Sequence, residues 1–283
     1  MSVSLTNAVA AGLAAGTVYG LLALGIVLVH RASGVVNLAQ GAFATLSAFV
    51  CSSLVVHGWA FWPALGAAVV LSFAGGAVVH RLLVRPLEDG PLVAATLLTA
   101  GLLLAADGLA AWIWGYGIRP ARRPFADGTA SILGLQLARR DLGVLVVGLG
   151  AALVLGLVLR RSRIGLGLRA AAANPVAARY SGVHVGSYTT VAWGLAAAIG
   201  ALAGILAAPL FGLRPGMLHL GLLYALAAAA LAGLDSAVLA VPAGLALGLG
   251  LELLGRHVHV LHGGLRPAAG LAVLAVALLV RRP

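Results

Sequence analysis

Arg160–Gly186 reads RRSRIGLGLRAAAANPVAARYSGVHVG, and its reading decides the rest of the chain. It carries five arginines, Arg160, Arg161, Arg163, Arg169 and Arg179, and no acid. Apolar runs long enough to cross a bilayer flank it, at 141–159 and 188–212. A short basic loop between two such runs is expected on the cytoplasmic side. Leu166–Ala173 is rich in helix formers. Asn174-Pro175 then ends one helical stretch and opens another, because proline disfavours helix in the residue before it and suits the first helical position. The expected element is a short helix under the membrane, suited to docking on a soluble partner. Read from composition alone, the same loop is an ordinary signal that only fixes orientation.

Composition sets the class. Hydrophobic residues make up 62% of the 283, charged residues 9%, and the mean hydropathy is +1.09, which describes a membrane protein. The 18 basic residues are all arginine, so the phosphate-loop lysine of a Walker-type ATPase is absent. The net charge of +11 is spread in small groups between apolar runs, without the basic stripe and interleaved aromatics of a nucleic-acid binder. Arginines so placed suit lipid headgroups at the interfaces. Cys51 is the one cysteine, which rules out a disulfide within the chain. Met1–Ala11 lacks the basic start of a secretory signal, and the apolar stretch after it is expected to remain as the first span.

Apolar runs fall at about 7–29, 39–57, 60–83, 91–115, 141–159, 188–212, 218–233, 237–255 and 265–280. A crossing takes about 20 residues, so the expectation is a single all-α polytopic domain over 1–283, with eight or nine spans and 218–233 short. Placing 160–186 in the cytoplasm puts Arg81, Arg85, Glu88, Asp89 and the Arg281-Arg282 end there too. The N-terminus and the 116–140 segment then fall outside. Arg119, Arg122, Arg123, Arg139 and Arg140 in that external segment run against the charge rule. Gly12, Gly16 and Gly20, then Gly200 and Gly204, then Gly244 and Gly248, stand at the four-residue spacing that lets helices approach in lipid. A general bias of the sequence to alanine and glycine explains that spacing equally well.

Between the first two runs lies His30-Arg31-Ala32-Ser33-Gly34-Val35-Val36-Asn37-Leu38-Ala39-Gln40-Gly41. It is either an aqueous turn or an unwound segment inside the protein, since unpaired backbone at membrane depth needs protein or water around it. Asp107 and Glu252 are isolated acids in apolar runs and are expected to face inward. Each either lines a path or makes an interhelical hydrogen bond or ion pair. His257, His259 and His262 form a cluster that reads as a short external loop or, less readily, a metal site. No catalytic order of serine, histidine and aspartate and no phosphate loop appears, so the chain is not expected to be an enzyme on its own.

The run from Arg163 to Val183, followed by the Ala/Gly-rich stretch 191–208, resembles the cytoplasmic loop of branched-chain amino acid permeases, the membrane subunits of bacterial ABC importers. Gly34–Phe43, after Tyr19-Gly20 and Gly25, resembles that family's N-terminal signature, with Gln40 where a histidine is usual. That change keeps a hydrogen-bonding side chain and removes a titratable one. Glu252 matches an acid the family carries. Ala173 stands where an acid is usual, Gly186-Ser187 where a charged pair is common, and Asp235 in the turn 232–236 where a smaller residue is usual. The likeness implies broken or half helices, 218–233 among them.

It also implies a function. The chain would be one permease subunit of an importer in the bacterial plasma membrane, moving branched-chain or related amino acids. A second permease subunit, identical or homologous, would complete the path, an extracytoplasmic binding protein would deliver substrate, and two ATP-binding subunits would hold ATP and magnesium. This chain itself would bind no cofactor. Arg163, Gly165, Arg169, Asn174, Pro175 and Gly182 would form the coupling loop, and Gly34, Asn37, Gln40, Gly41, Asp107 and Glu252 the translocation path. Rival readings are a secondary transporter or channel, a membrane scaffold without transport, or an importer permease for urea, amides or small organic acids.

Overall fold

The computed structural model describes residues 2–88, 90–122, 125, 128–132, 135–257 and 266–280. Among the described residues nine apolar helices correspond to the nine apolar runs. They are α1 (Ser2–Ser33), α2 (Gln40–Val56), α3 (Phe61–Val79), α4 (Leu92–Trp114), α5 (Arg139–Arg161), α8 (Val185–Phe211), α9 (His219–Leu231), α10 (Ala237–His257) and α11 (Arg266–Val280). The short α6 (Arg163–Ala173) and α7 (Pro175–Tyr180) stand between α5 and α8. Among the described residues six helices, α1, α3, α4, α5, α8 and α10, are long and apolar enough to cross a membrane. α9 has 13 residues, about 20 Å of helix, and falls short of a hydrocarbon core about 30 Å thick.

The helices divide into a centre and a rim. The apolar windows of α1 and α8 are 89% and 78% buried, against 22%, 17% and 17% for α3, α4 and α5. Small residues produce that centre. α1 runs antiparallel to α10, with Gly12, Gly16 and Gly20 facing Gly248, Gly244 and Val241. A Cβ on Gly16 would lie 2.8 Å from the Gly244 carbonyl oxygen, so the two backbones touch where any larger residue would hold them apart. Both explanations of the glycine spacing had the residues right, and the close approach is the one realised here. α8 meets α2 in the same way at Gly204, where a Cβ would fall on the Ala44 carbonyl. The rim helices expose Leu, Val and Trp side chains, among them Val70, Leu97, Leu104, Trp112 and Leu153, as a surface in lipid does.

One end of the bundle gathers the basic turns. Thr189 Oγ1 donates to the Ala32 carbonyl at 3.4 Å, Arg85 lies beside Gly186, and Arg169 donates to the Leu159 carbonyl. The ends of α1, α3 and α5 and the starts of α4 and α8 therefore share that end with α6 and α7. Arg81 and Arg85 sit there in a π-helical turn (His80–Val84) and a 3-10 turn (Arg85–Leu87) that continue α3. At the other end, in the 116–140 segment, a hairpin pairs β1 (Thr129–Ile132) with β2 (Leu135–Ala138) in antiparallel register, Thr129 opposite Ala138. Arg119 N donates to the Leu213 carbonyl at 2.8 Å and ties this segment to the end of α8. The hairpin is an addition to the helical bundle that the sequence pattern did not announce. Asp89, Arg123, His259, His262, Arg281 and Arg282 lie outside the described residues.

Candidate functional site: a buried helix break and an exposed elbow

α1 ends at Ser33, and Gly34 turns the chain with φ +71 while its N–H donates to the His30 carbonyl at 2.7 Å. Residues 34–39 then run unwound into the protein until α2 begins at Gln40. Val35, Asn37, Ala39 and Gln40 are buried, so the segment is the interior one of the two arrangements its sequence allows. Its backbone still needs partners. Thr99, buried on α4 about 10 Å along that helix, accepts from Leu38 N at 3.1 Å and shares its hydroxyl proton between the Thr96 carbonyl of its own helix at 2.7 Å and the Val36 carbonyl at 3.1 Å. Asn37 Oδ1 accepts from Ala39 N at 3.1 Å.

Gln40 joins three helices. Asn37 Nδ2 donates to its Oε1 at 3.1 Å, and its Nε2 donates to the Ala196 carbonyl of α8 at 2.8 Å. The slot for that amide is made by two glycines. A Cβ on Gly25 of α1 would strike Gln40 Nε2, and one on Gly200 of α8 would lie 2.5 Å from it. Gly41 brings the first turn of α2 against α9, its place for a Cβ lying 3.2 Å from the Leu218 carbonyl oxygen. Gly34, Asn37, Gln40 and Gly41 thus form one connected unit, in which Asn37 and Gln40 are 2% and 1% exposed and bonded within the protein.

Asp107 and Glu252 lie elsewhere. Asp107, on α4, pairs through Oδ2 with Nε2 of His219 at the start of α9. That is an interhelical contact, between α4 and α9. Glu252 sits on α10 where that helix crosses Gly12 of α1. Neither acid belongs to the α1–α2–α8 junction.

The elbow is built from two capped helices. Ser162 Oγ accepts from Gly165 N at 3.0 Å and starts α6. Asn174 ends α6 and starts α7, its Oδ1 accepting from Ala177 N at 2.9 Å with Pro175 in the first helical position. The two helices meet at the Asn-Pro step, where the proline is expected to end one helical stretch and open another. Gly182 ends the elbow with φ +80 in open space. Glycines also mount it on the bundle. A Cβ on Gly165 would fall on the Leu159 carbonyl, and one on Gly167 on the Tyr188 ring of α8. Arg169 donates to the carbonyls of Leu159 and Arg160, the last turn of α5, where a cation meets the negative helix end. Its place is in holding α6 to α5, while Arg163 and Arg179 project from the elbow. Leu166, Val176 and Tyr180 are exposed at 61%, 59% and 90% beside them, which leaves an apolar and basic face uncovered.

Three polar side chains at these sites were not distinguished by sequence: Thr99, His219 and His80. His80 is fully buried where the π-helical turn begins, with Nδ1 2.9 Å from Thr190 Oγ1 of α8 and Nε2 2.9 Å from Glu88 Oε1. A lone polar residue at the edge of an apolar run was the only available signal for it.

The family model and the relatives found by sequence agree on one family. Residues 8–280 match the family model described as branched-chain amino acid transport system / permease component. Over 258 residues the chain is 27% identical to the high-affinity branched-chain amino acid transport system permease protein BraD of Pseudomonas aeruginosa, covering 84% of this chain and 82% of that one. It is 24% identical over 259 residues to the corresponding LivH protein of Escherichia coli, with the same coverage. A chain of the solved structure of PsaBC from Streptococcus pneumoniae in complex with Fab shares the fold, with TM-score 0.52 and 15% identity over 96% of this chain and 90% of that one. With the matched region running through both the buried break and the elbow, the chain belongs to the family of permease components of branched-chain amino acid transport systems.

Proposed function

We propose that this multi-pass membrane protein is the permease subunit of a bacterial inner-membrane ABC importer for branched-chain or related amino acids. It works with a second permease chain, two ATP-binding subunits that carry ATP and magnesium, and an extracytoplasmic binding protein. The observation that carries the reading is the mounting of the elbow. Gly167 seats α6 on Tyr188 of α8, and α8 in turn holds Gln40 through Ala196. A push on the uncovered face with Leu166, Val176 and Tyr180 is passed by stiff, capped helices to the buried break, where α1, α2 and α8 meet. Packed interfaces of this kind switch between arrangements and do not deform smoothly. Asn37, Gln40 and the unwound backbone beside them lie on the path and move as one bonded piece under such a push. The chain supplies no energy source of its own.

The test is reconstitution with the neighbouring subunits. Arg169→Ala frees the elbow from α5, and Pro175→Gly loosens the step between α6 and α7. Each is expected to leave the ATP-binding subunit attached but cut substrate-stimulated ATP turnover and uptake about tenfold, the effect of about 1.4 kcal/mol of lost coupling. Uptake driven by an ion gradient without ATP, or labelling of a cysteine at position 169 from the outer face, would reject the reading.

A further inference from the structure

A groove of about 470 Å³ opens on the flank of the bundle between α1, α5, α6 and the start of α10, and neither Asn37 nor Gln40 is among the residues that line it. Its walls are aliphatic, with Leu28, Leu153, Leu157 and Val238 among them, and Gly156 leaves its floor open, with no atom within 4 Å of where a Cβ would stand. Leu153, Leu157 and Val238 are exposed at 64%, 44% and 58%. The apolar part runs along α5 from Leu149 to the end of that helix. By helix rise that is about 16 Å, close to half of a hydrocarbon core about 30 Å thick. Arg31, Arg160 and Arg169 line the other extreme, at the end of the bundle that carries the elbow. Arg169 is held by the α5 carbonyls, while Arg31 and Arg160 are exposed.

We infer that this groove is a binding site for one anionic phospholipid of the leaflet on the elbow side. An acyl chain lies along α5 over Gly156, and Arg31 and Arg160 hold the phosphate. Three features single out this occupant. The apolar length matches one leaflet, the cations stand at the end of the bundle that carries the elbow, and among the described residues no acid lines the groove to oppose an anion. α6 forms one wall through Leu168 and Ala172, so the bound lipid touches the elbow itself. The inference rests on the membrane-spanning fold and not on which solute is carried.

The full chain, purified in detergent, is loaded with phosphatidylglycerol, phosphatidylcholine or free glycerol phosphate, and retained ligand is counted by native mass spectrometry. Phosphatidylglycerol is expected to be retained in preference to phosphatidylcholine. Arg31→Gln and Arg160→Gln are each expected to weaken that retention about fivefold, the scale of one basic residue at an anionic surface. Gly156→Leu starts a side chain where a Cβ meets no atom within 4 Å, and is expected to fill the floor and expel the lipid while the variant purifies normally. Equal retention of the two lipids overturns the inference, as does full competition by glycerol phosphate or undiminished lipid in Gly156→Leu. A photo-crosslinker at position 153 that captures a second copy of the chain in membranes in place of lipid overturns it as well.

Discussion

Two breaks in helix, at 34–39 and at 174, use the same residue for opposite ends. Asn37 and Asn174 each turn a side-chain oxygen onto a backbone N–H just ahead, Ala39 N at 3.1 Å and Ala177 N at 2.9 Å. Asn37 is 2% exposed and its amide nitrogen is also bonded, to Gln40, whereas Asn174 is exposed. Burial is what separates them. Water can replace a lost bond at Asn174, so that cap only sets local geometry. Asn37 and Ala39 are buried, so a bond lost there leaves a polar group without a ready substitute, and the segment depends on those bonds to exist at that depth. The buried break is therefore a fixed junction, and the exposed one is a stiff part that a partner can push.

Gly204→Leu attacks the buried side hardest. Its side chain would have to replace the Ala44 carbonyl, so separation of α2 from α8 is expected to cost more than about 4 kcal/mol and leave no stable protein in detergent. Recovery at parental yield would show that the two helices can part, and the junction would lose its claim to be fixed.

Gln40→Ala is the finer probe. It empties the slot between Gly25 and Gly200 and strands the Asn37 amide, for a loss of about 2–3 kcal/mol in resistance to unfolding by SDS. A loss under about 0.5 kcal/mol, the level of an ordinary surface change, would mean that Gln40 is not what joins the helices.

Asn174→Ala should have the smallest effect. Removing the cap is expected to cost about 1 kcal/mol, read as faster amide exchange over 175–180 with bundle unfolding unchanged, and Asn174→Asp should restore nearly all of it. If Asn174→Ala lowered bundle stability as much as Gln40→Ala does, the distinction between the two breaks would collapse.

Much of this was legible in the chain. The nine apolar runs name the nine apolar helices, because a bilayer demands length and hydrophobicity that are properties of local sequence. The Asn174-Pro175 step and the Ser162 cap are local chemistry also. The glycines of α1 and α10 could be seen at the right spacing, but spacing does not name a partner helix. Asp107 illustrates the limit. That it would find a partner followed from the cost of a charge in apolar surroundings, while the partner, the exposed His219, is 112 residues away.

The sequence by itself determined that this is a multi-span helical membrane protein with a basic elbow after its fifth long apolar run, since hydropathy, charge and helix capping act over a few residues. Only the tertiary structure decided that residues 34–39 are buried, that Thr99 satisfies their backbone, that Gly25 and Gly200 make room for Gln40, and that Arg169 binds α5. Those outcomes depend on which helices come within a few ångströms of each other, and they are fixed when the whole bundle packs.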